Sequence, residues 1–257
     1  MIKNAKLSAK KLILNKYKYL FVPSTIVMIL NAIAYLFINV IITYMNWVDF
    51  SHFLQIVFLL CFIGLEFVCI PLSSVLLYKT IFNLDNGSNT NTVFSIKQML
   101  SSDIIIKTVK VNLIPVFLRI LVKTCSSKVF YYNRNYLSVA IIASWVDIFI
   151  SYKFSAVNYF IALGDEHPIK KSFELTKKIF WEYLLLGLSF LGYVMLGAGI
   201  GVLLQYLIFG YYSADAYLPQ LRVFISFDFG VGFFLTPYIF TAEYFWFKQK
   251  ESNLRQI

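Results

Sequence analysis

Residues 53–78 read FLQIVFLLCFIGLEFVCIPLSSVLLY, and this stretch decides the fold. It is apolar along almost its whole length, and Glu66, near its centre, is its only charged residue. Apolar runs longer than about 18 residues with few charges are typical of helices that cross a membrane. Because lipid offers the backbone no hydrogen-bond partners, such a run must satisfy its amide groups within a helix. We therefore predict a transmembrane helix over residues 53–78.

The rest of the chain repeats this pattern. Of its 257 residues, 59% are hydrophobic and 14% are charged, whereas a soluble domain carries about 25% charged residues. The first apolar block lacks a small-residue cleavage site, so we expect it to remain as an anchor. We predict an all-α membrane helix bundle that forms a single integral membrane domain over residues 1–257. Its six predicted spans cover residues 20–45, 53–78, 104–122, 137–163, 181–210 and 223–247.

The charges predict an orientation in the bilayer. The net charge is +10, and the Lys and Arg residues concentrate between apolar blocks, which the positive-inside bias explains without a nucleic-acid partner. With six spans, 17 of the 23 Lys and Arg residues lie inside and five lie outside. Residues 104–122 contain Lys107, Lys110 and Pro115 and could instead lie flat on the membrane surface. In that case, 15 Lys and Arg residues would lie inside and seven outside. Six spans are favoured, in the cell membrane, with both ends of the chain in the cytoplasm.

Two basic amphipathic segments precede predicted spans. Within residues 1–18, lysines share one helical face and apolar residues share another, Lys3, Lys6 and Lys10 against Ile2, Ala5, Ala9 and Leu12. Residues 169–180 form the second segment, with Lys170, Lys171, Lys177 and Lys178. We expect surface helices on the anionic lipids of the inner leaflet. For the first segment, a solvated start of the first span is an equally good interpretation.

Four ionisable residues inside predicted spans form a candidate intramembrane polar site, Glu66, Asp147, Lys153 and Asp228. A charge at the centre of a bilayer costs about 2.5–3.5 kcal/mol, so Glu66 needs a partner or a wet cavity. It could bind an ion, a proton or a substrate, or it could form a structural tie with Lys110, Arg119 or Lys153. Asp147 and Lys153 lie about 240° apart around one helix, so we do not expect them to pair.

Other residues within the spans have predicted structural roles. Gly192, Gly197 and Gly201 are small-residue positions where helices can pack closely, and the last two form a GxxxG motif. Glu243 lies one turn from the inner end of the last span, from which its side chain can reach the interface.

Sequence signatures of an enzyme are missing. His52 and His167 fall in loops predicted to face opposite sides of the membrane, so they cannot readily form one catalytic or metal site. Cys61, Cys69 and Cys125 show no spacing typical of metal ligands or of redox chemistry. We expect no enzymatic activity, no cofactor and no metal.

Several motifs appear in order along the chain. They read Asn158-Tyr159-Phe160-Ile161, Asp165-Glu166-His167-Pro168, Ser172 with Thr176-Lys177-Lys178, Leu188-Ser189-Phe190-Leu191-Gly192, and Pro237-Tyr238-Ile239-Phe240-Thr241-Ala242. Earlier in the chain, Ile2-Lys3-Asn4-Ala5-Lys6 and Pro71-Leu72-Ser73 belong to the same set. In these motifs the chain resembles an uncharacterised family of bacterial, mainly Gram-positive, six-helix integral membrane proteins. The resemblance implies a fold and a topology but no biochemistry, because the family has no assigned activity.

The chain departs from this family at two places. Early in the fourth span the family usually has Pro-Gly, where this chain has Asp147-Ile148-Phe149-Ile150. Residues 206–228 look like an insertion before the final helix.

Two functions of different classes are compatible with these patterns. The first is a non-enzymatic membrane protein that acts through partners, either as an accessory subunit of an exporter or in self-protection (immunity) against a membrane-active peptide. The short loops and the lack of any recognisable set of catalytic residues favour this first function. The alternative is a small secondary transporter or channel that uses the intramembrane acidic residues.

The predicted orientation can be tested with introduced thiols. In a chain whose three cysteines are replaced by serine, we expect Ser51→Cys to react with a membrane-impermeant maleimide in intact cells. Asn4→Cys and Asn253→Cys should react only after the membrane is opened, because both ends are predicted to be cytoplasmic. Labelling of the two ends from opposite sides would contradict six spans.

Overall fold

The computed structural model describes residues 1–44, 57, 60–61, 63–87, 101–132, 136–177, 179–193, 195–196 and 230–254. This part of the chain is helical and contains no strand, so the predicted all-α class is confirmed. A π-helical turn, Leu65–Cys69, leads directly into the second helix. The helices are α1 (Ile2–Tyr44), α2 (Ile70–Asp85), α3 (Ser102–Tyr132), α4 (Tyr136–Phe154), α5 (Val157–Ala162), α6 (Pro168–Thr176), α7 (Phe180–Leu188) and α8 (Gly230–Leu254).

Among the described residues, one helix is long and apolar enough to cross a membrane by its length and composition. It is Leu65–Asp85, formed by the π-helical turn and α2, and it has 21 residues. It overlaps the span predicted over residues 53–78 but continues beyond it. The chain then turns at Gly87, whose φ of 72° lies in the left-handed region that glycine adopts without strain.

α1 has one break in its backbone, at Lys16, where φ is −133° and ψ is 17°. The break lies at the boundary between the surface helix predicted over residues 1–18 and the span predicted over residues 20–45. Before the break, Ala5 and Ala9 are completely buried in the core, as the amphipathic pattern predicts for that face. The apolar face of the first segment is therefore covered by the protein itself, whereas we expected it to lie on lipid.

The fourth predicted span, residues 137–163, is two helices in the structure. α4 ends at Phe154 because Ser155 turns the chain: its amide donates to the carbonyl of Tyr152 at 3.3 Å, and its Oγ donates to the same carbonyl at 2.9 Å. α5 follows after this turn. With 19 residues, α4 alone is about 28 Å long, close to the thickness of a hydrocarbon core.

Three other helix boundaries also differ from those predicted. α3 continues to Tyr132, ten residues past the predicted end at Val122, since residues 123–132 contain neither Gly nor Pro. α7 ends at Leu188, well inside the block of residues 181–210, where Ser189 Oγ donates to the carbonyl of Leu186 at 2.5 Å. α8 continues to Leu254, past the predicted end of the last span.

The core lies where α1, α2, α5, α7 and α8 meet. The ring of Tyr159 packs edge-on against Tyr244 and Tyr78, with centroid distances of 5.6 and 6.1 Å. Edge-on contacts of this kind contribute about 0.5–1.5 kcal/mol beyond the burial of area. The largest fully buried side chains are Trp246, Tyr159, Tyr244, Phe160 and Phe247.

Large apolar side chains are exposed on α3, α4 and α7, the last of which also contributes Leu186 to the core. Soluble monomers rarely expose contiguous apolar patches larger than a few hundred Å². We call these surfaces the exposed apolar faces of α3 (Ile106, Leu113, Ile114, Phe117), of α4 (Ile142, Trp145, Val146, Ile148, Phe149) and of α7 (Trp181, Leu185, Leu188).

Two tryptophans test this division between core and exposed face. Trp246 is 0% exposed and Trp181 is 70% exposed. We expect Trp246→Ala to lower the free energy of unfolding in detergent by about 3–5 kcal/mol, because it leaves a cavity in the core. Trp181→Ala, the matched control, should change it by less than about 1 kcal/mol. Equal losses, measured from thermal unfolding curves, would show that this core is wrongly placed.

Candidate functional site

A carboxylate is held between three helices where α2, α7 and α8 meet. The hydroxyl of Tyr78, on α2, donates to Glu243 Oε2 at 2.9 Å. The hydroxyl of Tyr183, on α7, donates to the other oxygen, Oε1, at 3.5 Å. Glu243 itself lies on α8, so this one side chain joins three helices. We call Glu243, Tyr78 and Tyr183 the glutamate–tyrosine cluster.

Local packing fixes the rings of the glutamate–tyrosine cluster. Tyr78 is 3% exposed and packs against Phe240, one turn before Glu243 on α8, at a centroid distance of 5.2 Å. α8 runs through Pro237, whose carbonyl accepts a hydrogen bond from Thr241 Oγ1 at 2.6 Å. This bond satisfies a hydroxyl that has no access to solvent, since Thr241 is 0% exposed.

A second carboxylate cluster lies further along α8. Asp85, at the end of α2, accepts a hydrogen bond from the Tyr244 hydroxyl at 3.1 Å and forms an ion pair with Lys248 at 2.6 Å. Because residues four apart share a face of a helix, Tyr244 and Lys248 both reach this carboxylate. The Lys248 side chain is 51% exposed, so the pair adds little stability by itself.

Two further bonds join α8 to its neighbours. The hydroxyl of Tyr159, on α5, donates to Glu251 Oε2 at 3.4 Å, and Lys250 forms an ion pair with Glu182, on α7, at 2.5 Å. With the two carboxylate clusters, the last three turns of α8 are bonded to α2, α5 and α7.

Lys6 of α1 lies at the end of α7. Its ammonium donates to the carbonyl of Ser189 at 2.7 Å and lies 4.3 Å from the centroid of the Phe190 ring. A cation at the C-terminus of a helix is favourable because the last carbonyls carry partial negative charge. Burial lowers the pKa of the Lys6 ammonium below its ordinary value. Lys6 was predicted on the basic face of a surface helix within residues 1–18, but its ammonium contacts protein instead.

Lys153 lies in a basic and aromatic cluster at the end of α4. Its Nζ is 5.5 Å from the ring centroid of Tyr152, 5.7 Å from that of Phe149 and 5.8 Å from that of Phe173 on α6. The Lys153 carbonyl accepts a hydrogen bond from Ser172 Oγ at 2.8 Å, and the Tyr152 hydroxyl donates to the carbonyl of Thr176. The basic helix α6 therefore packs directly beside Lys153.

The structure describes three of the four predicted polar residues, Glu66, Asp147 and Lys153. Glu66 lies in the π-helical turn and is half-buried, and no described hydrogen bond or ion pair joins it to Lys110 or Lys153. Asp147 is half-buried on α4, on a different face from Lys153. Asp228 lies outside the described residues.

The predicted packing glycines are only partly described. Gly192 is exposed, and a Cβ at its position would meet no described atom within 4 Å. Gly197 and Gly201 lie outside the described residues, so the packing role of this motif stays a prediction.

The glutamate–tyrosine cluster was not predicted from the sequence. Glu243 was expected to reach the membrane interface, but its carboxylate lies against Tyr78 and Tyr183. The available signal was chemical: a carboxylate inside an apolar segment needs donors, and tyrosine hydroxyls from neighbouring segments can supply them. Which tyrosines do so depends on the packing of α2 and α7 against α8.

Comparison with protein-family models, with curated proteins and with solved structures found no match to this chain. Among the described residues, no group of three or more His, Cys, Asp or Glu side chains could hold a metal ion. The arrangement of Glu243 and its two tyrosines can accept hydrogen bonds and join helices, and a protonatable carboxylate could also exchange a proton.

The hydrogen bond from Tyr78 to Glu243 can be measured by removing one hydroxyl. We expect Tyr78→Phe to lower the free energy of unfolding by about 1–2 kcal/mol, because the carboxylate loses its closer donor. Tyr238→Phe is the matched control on α8, since its hydroxyl makes no hydrogen bond to a described residue. In a Glu243→Gln background, Tyr78→Phe should lower the free energy of unfolding by a smaller amount. Equal costs for the two tyrosines would contradict the cluster.

Proposed function

We propose that this chain is a non-enzymatic, multi-pass α-helical protein of the cell membrane that acts through a partner. One observation carries the membrane assignment: α3, α4 and α7 each expose a face of large apolar side chains. Water makes the exposure of such faces costly, at about 25 cal/mol for each Å² of apolar area, whereas lipid tails do not. Lipid around these helices removes that cost.

The ends of α4 support an embedded position. The helix is about as long as the hydrocarbon core is thick, and Lys153 lies at its end, where a lysine can reach the headgroups. The basic helix α6 packs beside that same end through Ser172. This places α6 at the inner surface in our proposal, with both ends of the chain in the cytoplasm.

A role through partners is supported by how the ionisable groups are used. Glu243, Asp85 and Glu182 are each bonded to a side chain of another helix. Groups bonded in this way hold the bundle together, and no catalytic role follows from their geometry. We propose that the partner is a membrane protein, such as an exporter that this chain assists, or a membrane-active peptide against which it protects the cell.

We also propose membership of the uncharacterised bacterial family that the motifs resemble. The motif residues occupy packing positions: Ser172 Oγ bonds α6 to α4, Thr176 Oγ1 donates to the carbonyl of Ser172 at 2.8 Å, and Ala242 is completely buried. Residues of this kind support a shared fold rather than a shared reaction.

One observation favours the alternative, a small transporter or channel. Glu243 lies inside the span predicted over residues 223–247 and has two hydroxyl partners, an arrangement in which a proton can be exchanged. In that version, neutralising Glu66, Asp147, Lys153, Asp228 and Glu243 together must abolish flux in reconstituted vesicles. A partner-dependent protein would lose stability at most.

Site-specific photo-crosslinking in native membranes tests the partner. A photoreactive amino acid at Phe117 or Leu185, on the exposed apolar faces, should give one discrete protein adduct on at least one face. Phe160, which is 1% exposed, is the matched control and should give no adduct. Absence of any protein adduct from both faces, together with flux that depends on Glu243, would favour the transporter.

A further inference from the structure

An apolar groove runs along α4 to the start of α7. It forms an open cavity of about 400 Å³, a volume within the range of small-molecule sites. Its lining is almost entirely apolar and comes from Ile142, Trp145, Val146, Ile148, Phe149 and Phe180. We call it the α4 groove.

A cation lies next to one of the residues that line the α4 groove. Its residues at positions 142, 145, 146 and 149 follow helical spacing along one stripe of α4, and Lys153 continues that stripe one turn later. The Lys153 ammonium lies 5.7 Å from the ring centroid of Phe149, which itself lines the groove. A positive charge therefore lies one helical turn beyond an apolar stripe about 10 Å long.

No carboxylate of the described residues forms an ion pair with Lys153, which lies over three aromatic rings instead. Lys170 of α6 and Lys177, which follows the last residue of α6, are both exposed, and the exposed Glu174 lies between them in sequence. Phe173 of α6 lies next to the Lys153 charge, with its ring centroid 5.8 Å from Lys153 Nζ. Lys153 therefore supplies a positive charge among aromatic rings beside the groove.

We propose that the α4 groove binds an anionic phospholipid of the inner leaflet. One acyl chain occupies the apolar lining, and the phosphate contacts Lys153 at its end. The polarity of the site matches that of a lipid, because its apolar part extends toward the membrane centre and its charge lies beside the interfacial helix α6. This inference rests on the proposed membrane position of α4.

The charge and the apolar lining make separate contributions that can be measured. A lysine near an anionic membrane surface changes affinity by about fivefold. Lys153→Gln should therefore weaken binding of phosphatidylglycerol by about fivefold and weaken binding of phosphatidylcholine less, because the choline cation of that lipid offsets the charge of its phosphate. Val146→Trp, which fills the groove, should weaken binding of both lipids, while Lys153→Arg should retain the preference.

Native mass spectrometry of the full chain, purified in mild detergent, measures this binding directly. We expect the wild-type protein to retain one phosphatidylglycerol in preference to phosphatidylcholine. Lys10→Gln is the matched control, since it removes an exposed lysine of α1 far from α4 in sequence. Inorganic phosphate and deacylated glycerophosphoglycerol should not displace the lipid, because neither can fill the apolar lining.

Equal retention of the two lipids by the wild-type protein would overturn the proposal, even if no variant could be purified. So would an unchanged preference in Lys153→Gln, displacement by inorganic phosphate, or a protein adduct from a photoreactive residue at Trp145. Extraction of the same samples from membranes distinguishes this failure from that of the proposed function. A chain that needs detergent but shows no lipid preference lacks only the lipid site, whereas a chain released without detergent contradicts both.

Discussion

A buried tyrosine must place its hydroxyl on an acceptor, and this constraint organises the centre of the protein. Four tyrosines of the core, on α2, α5, α7 and α8, direct their hydroxyls to carboxylates: Tyr78 and Tyr183 to Glu243, Tyr159 to Glu251, and Tyr244 to Asp85. Their rings supply apolar area, while their hydroxyls require a specific partner at a specific distance. Each bond therefore fixes one turn of α8 against a particular neighbouring helix. Apolar packing alone would allow several such arrangements.

Around this centre the molecule has two kinds of surface. α2, α5 and α8 bury apolar residues in a shared core, whereas α3, α4 and α7 each expose a face of large apolar residues. The cations lie near the ends of the exposed helices: Lys153 ends the stripe of α4, and Lys107 at the start of α3 donates to the carbonyl of Asp165. A lipid environment would be compatible with both features, because it accepts apolar faces along a helix and attracts cations at its inner end.

The positions of the helices could be predicted from the sequence more accurately than the residues at which they begin and end. The break at Lys16 falls where a basic amphipathic segment meets an apolar block, and charge pattern alone indicates that boundary. The turn at Ser155 could not be predicted in this way, because it depends on one hydroxyl that bonds the carbonyl of Tyr152 within an otherwise apolar run. The glutamate–tyrosine cluster could not be predicted from the sequence for a similar reason. Glu66 and Glu243 are both acids in apolar segments, and only the packing of Tyr78 and Tyr183 gives one of them its donors.

By itself the sequence determined the all-helical class, since long apolar runs can satisfy their backbone amides only within helices when they are removed from water. It also determined which segments carry positive charge, because the positions of Lys and Arg are given directly by the order of residues. The tertiary structure decided which polar groups meet. Hydrogen bonds have a range of about 3 Å, and residues 78, 183 and 243 come within it only after three helices separated by many residues have packed together.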